Sequence, residues 1–319
     1  MAFLMLILAF TSLDDVVLAK DFQVRVMTYN TENFFDTTHD PGKNDWTYLP
    51  LSLKKSYAHK KRCRSVSRHH RKKCLNLDWN EKALSRKATM IAHTINSSFG
   101  QRGPEILVLT EIENKVTLDK LKGRLNGTYE SAILIEDSDP RGIDIAIISK
   151  FPQILPAKIH KIPGLKRGIL EATFKLPNSK SIRVFGVHFP APYHPRSKRV
   201  KALHILEGLA KGSLTKHDAV IAAGDFNIAS REGGSLFRGI AAKFWQVSHL
   251  VGCHQCPGTY FYKKSQTWSF LDAILLASTQ CQLMPRTIEV IRDVSKASDH
   301  LPLIGNLSCK TNRTSSSQK

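Results

Sequence analysis

Residues 220–227 read Val-Ile-Ala-Ala-Gly-Asp-Phe-Asn, and this stretch decides the fold class. Four small or aliphatic residues in succession predict a fully buried strand. Gly224 then allows the backbone to turn tightly and to approach a ligand closely. Asp225 and Asn227 follow, and an extended backbone places both side chains on one face, where they can hold a water, a phosphate oxygen or a metal. The alternative interpretation is an ordinary turn, in which Gly, Asp and Asn are common.

The composition sets bounds on the size and the partners of the protein. The chain has 319 residues, 42% of them hydrophobic, which is enough for one large domain or two small ones. Its formal net charge of +20 favours a polyanionic partner, namely nucleic acid, anionic lipid headgroups or a phosphorylated small molecule. A general charge for solubility is the alternative, but the charge is spread unevenly along the chain.

The first 19 residues have the pattern of a signal peptide. Residues 3–10 are an apolar run, and Val17-Leu-Ala19 resembles a cleavage site with small residues. The run is too short to span a membrane, and no other stretch qualifies, so we expect no stable membrane span. These features predict a secreted or periplasmic protein that starts near Lys20, with its domain over residues 20–309 and a polar tail over residues 310–319.

The rest of the chain predicts strands and helices in alternation. Apolar patterns indicate strands at 22–29, 105–110, 131–135, 143–149, 169–176, 182–187, 218–223, 259–262, 268–276 and 301–307. Helices are predicted at 80–99, where Asn80 is the N-cap, around Leu118, and at 197–211. Strand pairs that alternate with helices predict two packed sheets with helices outside.

Residues 54–74 differ from the rest of the chain in their charge. They hold ten Lys or Arg, three His and no acidic residue, with Cys63 inside the stretch and Cys74 at its end. One interpretation is a disordered, solvated loop. The other is an arm that binds a polyphosphate, and four of its cations are then predicted to contact substrate: Lys60, Lys61, Arg62 and Arg64.

Polar residues recur where the apolar runs end or are interrupted. They are Asn30, Glu111, His188, Asp225, Asn227, Asp272, Asp299 and His300. Carboxylate and amide oxygens are hard ligands that suit Mg²⁺ or Mn²⁺, with Ca²⁺ as a further candidate. A histidine backed by a carboxylate is oriented to act as a base or as a cation that binds phosphate. The set therefore favours phosphodiester hydrolysis.

The sequence resembles the endonuclease/exonuclease/phosphatase superfamily, whose members include DNase I, AP endonucleases, neutral sphingomyelinases and inositol polyphosphate phosphatases. The resemblance spans about residues 22–307 and rests on six motifs in the order of the family: Tyr29-Asn30, Leu109-Thr-Glu111, Val187-His188, Gly224-Asp-Phe-Asn227, Leu271-Asp272 and Ser298-Asp-His300. It implies an α/β fold of the DNase I type, a four-layer α-β-β-α sandwich. In that fold two mostly antiparallel sheets pack face to face with helices outside.

The resemblance also implies a role for each residue of the site. Glu111 would be the principal metal ligand, with Asn30 and Asp299 nearby. His300, oriented by Asp272, would be the base or the histidine that binds phosphate. The remaining roles implied are positioning of the attacking water and the phosphate by Asp225 and Asn227, assistance to the leaving oxygen by His188, and phosphate contact by Arg141.

Three classes of function are compatible with these residues. A secreted, divalent-metal-dependent endonuclease acting on DNA or RNA is favoured, because Lys and Arg supply sequence-independent affinity for a phosphate backbone. We expect such a protein to be a monomer. A phosphoesterase acting on a phospholipid headgroup, as sphingomyelinases do, or on a phosphorylated small molecule is the alternative. Tyr260, Phe261, Tyr262 and Trp268 could then form a membrane-facing patch. The third class, a binding protein without activity, conflicts with the intact polar set.

Six cysteines suit an oxidising compartment, where disulfides are the expected use. Cys253-His-Gln-Cys256 could instead be half of a zinc site, but a second pair with ligand spacing is missing. Cys281 lies nine residues beyond Asp272, and Cys309 nine beyond His300. If Asp272 and His300 meet and both strands leave the site in one direction, Cys281 pairs with Cys309. The remainder would be Cys63–Cys74 and Cys253–Cys256.

Overall fold

The computed structural model describes residues 21–253, 255–292 and 296–311, so the segment with the signal-peptide pattern and residues 312–319 lie outside the description. The strands are β1 Phe22–Phe34, β2 Ile106–Ile112, β3 Ser131–Leu134, β4 Asp144–Ser149, β5 Gln153–His160, β6 Ile169–Lys175, β7 Ser181–His188, β8 Ala219–Asp225, β9 Gln246–Val247, β10 Tyr260–Tyr262, β11 Thr267–Ser269, β12 Asp272–Ser278, β13 Cys281–Leu283, β14 Glu289–Val290 and β15 Leu303–Cys309. The helices are α1 Tyr57–Ser65, α2 Arg68–Asn76, α3 Glu81–Gln101, α4 Lys115–Lys122, α5 Arg196–Leu214, α6 Ser230–Gly233 and α7 Ser248–Val251. None of the helices described is long and apolar enough to cross a membrane.

Most of the strands belong to two large sheets. The first sheet has the order β13-β15-β1-β2-β4-β3, with β14 paired to β15, and the second has the order β5-β6-β7-β8-β12-β9. Each sheet contains one parallel pair, β1 with β2 and β7 with β8. The other strand pairs described, including the separate hairpin β10–β11, are antiparallel. The expectation of two mostly antiparallel sheets is confirmed.

Three apolar clusters show that the layers are stacked as helix, sheet, sheet, helix. The central cluster lies between the sheets and takes Val26 from β1 and Ile221 from β8. A second cluster packs the outer face of the first sheet against α3 and α4. A third packs the outer face of the second sheet against α5. Because each sheet is covered on both faces, its central strands are apolar on both sides.

Strand β8 shows why the stretch at residues 220–227 is so apolar. Ile221 and Ala223 face the central cluster, whereas Val220 and Ala222 face α5, as the two-residue period of a strand requires. All seven residues of β8 are buried. Burial of one Val or Ile side chain contributes about 1.5–3 kcal/mol, so this strand is held firmly at the centre of its sheet.

The helices largely follow the predicted pattern. Asn80 caps α3 by accepting a hydrogen bond from the Ala83 amide at 3.0 Å, as predicted. The helical dihedrals of α3 are interrupted at Ser98–Gly100, near the predicted end of the helix. Helix α4 spans Lys115–Lys122 and buries Leu118 and Leu121, which confirms the helix predicted around Leu118.

The basic stretch at residues 54–74 is helical, so its interpretation as a disordered loop is wrong. After one turn of 3₁₀-helix at Leu51–Lys55, helices α1 and α2 form a hairpin that the Cys63–Cys74 disulfide closes. Lys54 is buried, and its ammonium donates hydrogen bonds to the carbonyls of Thr47 and Leu77 at 2.6 and 2.7 Å. Lys54 therefore anchors the base of the hairpin.

The other two disulfides join Cys253 to Cys256 and Cys281 to Cys309, in agreement with the predicted pairing. Cys281 and Cys309 are direct partners in the register of β13 with β15. The pairing leaves no free cysteine, so the half zinc site is excluded as well. Each cross-link restricts the unfolded chain and thereby stabilises the folded one.

We expect Gly224→Ala to destabilise the protein strongly. Gly224 has φ of +140°, and a Cβ atom there would lie 2.0 Å from the carbonyl oxygen of Val187 in the paired strand β7. Separating β7 from β8 should cost about 2 kcal/mol or more. Gly212→Ala in α5 is the matched control, because nothing lies within 4 Å of its added methyl group. Chemical denaturation measures both; equal stability of the two variants would contradict this account.

Candidate active site

The predicted site residues meet at one edge of the two sheets. The strands of each parallel pair end at the same edge, and their antiparallel neighbours β12 and β15 begin there. His188 is therefore the register partner of Asp225, which is in turn the partner of Asp272. The Ser298 hydroxyl donates a hydrogen bond to the Asn30 carbonyl at 2.7 Å and ties the segment before β15 to β1.

Asp225 lies at the centre of this edge, with only 1% of its surface exposed. Its Oδ2 accepts a hydrogen bond of 3.1 Å from Asn30 Nδ2, which joins the two sheets. The same oxygen lies 3.6 Å from His188 Nε2 and 4.0 Å from His300 Nε2. Its Oδ1 accepts from the backbone amide of Asn227 at 2.8 Å. Burial raises the pKa of Asp225 to about 7, so a proton can be exchanged here near neutral pH.

Asp272 and His300 form the predicted pair. His300 Nδ1 lies 2.7 Å from Asp272 Oδ2, and both side chains are buried. Burial opposes a charge on the imidazole, but the charge and hydrogen bond of Asp272 prevail, and the pKa of His300 is raised to about 10. His300 is thus a cation at neutral pH. One ligand atom each of Asp225, Asp272 and His300 lie within 4.8 Å of one another, but a protonated imidazole offers no lone pair to a metal.

His188 is the complementary, neutral histidine. Burial lowers its pKa well below the usual value, and the charges of Arg167 and Arg141 lower it further. The Arg167 guanidinium holds the backbone in place by donating to the carbonyl of His188 at 3.0 Å. His188 Nε2 faces Asp225 Oδ2 and, at 3.9 Å, Glu111 Oε1. Two histidines of opposite protonation state therefore flank one carboxylate.

Glu111, Asp299 and Asn30 bring oxygen atoms to the other side of the site. Glu111 has a left-handed backbone with φ of 64°, and its Oε2 accepts from the Asn33 amide at 2.8 Å. Burial raises the pKa of the Asp299 carboxyl, and the charge of Glu111 contributes to the same shift. Asn30 Oδ1 accepts one backbone hydrogen bond from Glu32. Two carboxylates and an amide oxygen fit a hard divalent ion, which would relieve the repulsion between the acids.

Three further residues at this site escaped the sequence analysis. Burial and the charge of Asp299 raise the pKa of Glu32, whereas Lys87 lowers it. The Lys87 ammonium donates to the Glu32 carbonyl, and burial lowers its pKa to about 8. Burial raises the pKa of the Tyr48 hydroxyl, and the negative charge of Glu111 raises it further. Glu32 lies two residues after Asn30, and this closeness in the chain could have indicated its place at the site. Lys87 lies on a helix and Tyr48 in a loop, and no sequence pattern indicated their place at the site.

The basic hairpin α1–α2 touches this site through its second helix. Lys73 lies 5.6 Å above the centre of the Tyr48 ring, and its charge lowers the pKa of Glu32. In α1, Arg62 lies 5.8 Å from the Trp46 ring. The other predicted contacts in α1 are exposed: Lys60, Lys61 and Arg64. Arg141 is also exposed, 3.7 Å from Asp139, and contributes to lowering the pKa of His188. Substrate contact by these cations stays a prediction.

The aromatic residues after Thr259 form the hairpin β10–β11. The Tyr260 ring lies 4.9 Å from the imidazole of His300, to which its backbone is also bridged, so Tyr260 is a wall of the site. Phe261 and Trp268 pack on each other at 5.1 Å between ring centres, and Trp268 is 37% exposed. The hairpin β10–β11 therefore forms part of the wall of the site, and only a small part of its apolar surface is exposed to solvent.

The sequence matches the Endonuclease/Exonuclease/phosphatase family over residues 25–299. The chain belongs to this family. It is accordingly a metal-dependent phosphoester hydrolase with the DNase I-like sandwich. No curated protein matches the sequence significantly.

Solved structures share this fold at low sequence identity. A truncated TDP2 from Caenorhabditis elegans is 13% identical, with 90% of this chain and 98% of that chain covered and a TM-score of 0.58. A family protein from Bacteroides thetaiotaomicron is 15% identical, with 91% and 96% covered and a TM-score of 0.58. One from Beutenbergia cavernae is 15% identical, with 90% and 72% covered and a TM-score of 0.56.

We expect Asp272→Asn to lower the pKa of His300 by about one unit or more, because it removes the nearest negative charge and keeps the shape. In the metal-free protein, NMR titration of the imidazole measures the shift. Phosphodiester hydrolysis should fall by about 10²-fold or more, since correct protonation of such a group is worth that much. An unchanged titration curve would show that Asp272 does not control the charge of His300.

Proposed function

We propose that the protein is a secreted, divalent-metal-dependent endonuclease that hydrolyses phosphodiester bonds in DNA or RNA. The observation that carries this proposal is the position of the basic hairpin α1–α2, whose Lys73 reaches the edge of the site beside Glu32 and Tyr48. A small phosphorylated substrate is bound at its reacting phosphate and does not require this charged hairpin. A polymer extends past the reacting phosphate onto the surface of the hairpin, whose cations can then bind the phosphate backbone.

Three disulfides support a location outside the reducing cytoplasm. The cysteines that close the hairpin and those that join β13 to β15 are buried, so the bonds belong to the folded structure. Secretion as a monomer is the form in which we expect the protein to act.

The side chains divide the chemistry among them. Glu111, Asp299 and Asn30 would hold a divalent ion, which would supply Lewis acidity to the phosphoryl group. Protonated His300 donates a hydrogen bond to a phosphoryl oxygen and balances its growing charge. Asp225, with its pKa near 7, orients the attacking water and receives its proton.

Asn227 and His188 complete this arrangement. The Asn227 amide nitrogen is engaged by the Phe189 carbonyl at 2.9 Å, which aims its Oδ1 as an acceptor for the attacking water. Neutral His188 places Nε2 toward two carboxylates, so that nitrogen carries the hydrogen and can donate a hydrogen bond to the leaving oxygen.

A phosphoesterase acting on a phospholipid headgroup is the second candidate. The observation in its favour is the half-exposed pair of Phe261 and Trp268 on the hairpin that walls the site. Aromatic side chains at such a place suit a lipid interface. The endonuclease is favoured because the cationic surface beside the site is far larger than this apolar one.

A substrate panel with Mg²⁺ distinguishes these functions: supercoiled plasmid, RNA, sphingomyelin vesicles and bis-p-nitrophenyl phosphate. We expect the plasmid or RNA to be cut internally, and Glu111→Gln to lower the rate by about 100-fold or more, because metal stabilisation is worth several kcal/mol. Glu130→Gln, at an exposed position, is the matched control. Cleavage of sphingomyelin alone would overturn the endonuclease in favour of the second candidate.

The hairpin is tested by a quadruple variant, in which Lys60, Lys61, Arg62 and Arg64 become Gln. Removing a cation that neutralises a phosphate should reduce the slope of log affinity against log salt by about 0.7–0.9. Turnover of bis-p-nitrophenyl phosphate should be unchanged, since the hydrolytic residues remain. The control removes four exposed lysines around the far ends of β6–β8 and α5: Lys175, Lys211, Lys216 and Lys243. An equal reduction of the slope in both variants would mean that the hairpin makes no special contact with nucleic acid.

A further inference from the structure

A second group of acidic residues lies beside the active site and takes no part in the proposed reaction. It comprises Asp36, just after β1, Asp40 and Asp45 in the following loop, and Glu113, just after β2. Asp36, Asp45 and Glu113 are buried, with 9%, 1% and 2% of their surface exposed. Burying carboxylates is costly unless their charge is compensated.

The side chains around the group compensate it only in part. His39 contacts one oxygen of Asp45, and the Asn114 amide donates to Asp36 at 3.0 Å. Over residues 21–253, 255–292 and 296–311, no Lys or Arg forms an ion pair with any of the four carboxylates. The group thus concentrates negative charge without a fixed cation.

Glu113 supplies the observation that points to a ligand. Its Oε2 accepts from the backbone amide of Asp36 at 2.6 Å, but its buried Oε1 has no hydrogen-bond partner in the described structure. The Glu113 carboxylate faces those of Asp40 and Asp45, and one oxygen of each lies within 4.8 Å of the others.

Oxygens that lie within 4.8 Å of one another can share one Ca²⁺ ion. Two ligands on opposite sides of a Ca²⁺ ion lie about 4.6–5.2 Å apart, because each Ca–O distance is about 2.3–2.6 Å. Ca²⁺ also accepts carboxylates of irregular arrangement in a loop, which Mg²⁺ does less readily.

We propose that Asp40, Asp45 and Glu113, with Asp36 beside them, hold a structural calcium ion. The ion joins the loop after β1 to the residues after β2. Asn30 lies in β1 and Glu111 at the end of β2, so the ion fixes the two segments that carry ligands of the catalytic metal. The calcium site takes no part in the proposed hydrolysis. It makes the stability of the folded protein dependent on calcium.

Calcium binding is measured by titration calorimetry in a Glu111→Gln background, which removes the main ligand of the catalytic metal. We expect one Ca²⁺ site, weakened about tenfold or more by Asp40→Asn, because affinity follows the number of charged ligands. Asp40 is partly exposed, so this variant tests a ligand with little effect on the core. Glu136→Gln is the matched control: Glu136 is exposed and acts on Asp40 by charge without belonging to the group.

Two further measurements keep the proposal testable if a variant folds poorly. Ca²⁺ should raise the midpoint of thermal unfolding in the Glu111→Gln protein more than equal Mg²⁺ does. Tb³⁺ bound at the group should luminesce when tryptophan is excited, because Trp46 follows Asp45 and its ring centre lies 3.6 Å from that of His39. Ca²⁺ should displace this signal, and Trp46→Phe should weaken it.

Several outcomes would overturn the calcium site. Absence of Ca²⁺ binding in the Glu111→Gln protein is one. Equal affinity of the Asp40→Asn and Glu136→Gln variants is another, since the group would then supply no ligand. A Tb³⁺ signal that Ca²⁺ does not displace would equally exclude it. None of these results depends on the substrate, so they leave the proposed endonuclease untouched.

Discussion

The buried carboxylate of Asp225 is the constraint on which the rest of the site depends. A charge at 1% exposure between two sheets requires donors on every side. Asn30 from the first sheet and the Asn227 amide from its own loop supply them, and two histidines complete the surroundings. The hydrogen bond from Asn30 also fixes one sheet against the other. The hydrogen bond that positions the Asp225 carboxylate in the site therefore also holds the two sheets together.

Burial and neighbouring charges give the two histidines of the site, His188 and His300, different protonation states. Both imidazoles are buried, which by itself disfavours the cation. His300 has Asp272 at 2.7 Å and becomes a cation, whereas His188 has the charges of Arg167 and Arg141 nearby and stays neutral. In the proposed reaction, a phosphoryl group at this edge would meet a positive charge on one side and a neutral donor on the other. The same principle applies to the carboxylates of Asp36, Asp40, Asp45 and Glu113, because their largely buried negative charge requires a compensating group.

Much of this could be predicted from the sequence. The apolar run of β8, the cap at Asn80 and the apolar pattern of the strand at residues 22–29 are local signals, and the structure bears them out. The Asp272–His300 pair was accessible because a carboxylate inside an apolar run needs a partner and His300 opened the next polar segment. The hairpin α1–α2 was not accessible: no apolar stripe marks its helices, and a disulfide and a buried lysine hold it. Lys87 and Tyr48 were missed because their place at the site depends on neighbours distant in the chain.

The sequence by itself determined the fold family, the order of the main strands and of helices α3, α4 and α5, and the residue types that the proposed chemistry uses. These are encoded in short periodic patterns and in polar residues at strand ends, which neighbours in the chain suffice to define. Only the tertiary structure decided which histidine carries the charge, where the basic hairpin lies, and that Glu113 faces Asp40 and Asp45. Those properties depend on burial and on distances between residues far apart in sequence. Electrostatic free energy varies with both, and neither exists until the sheets have packed.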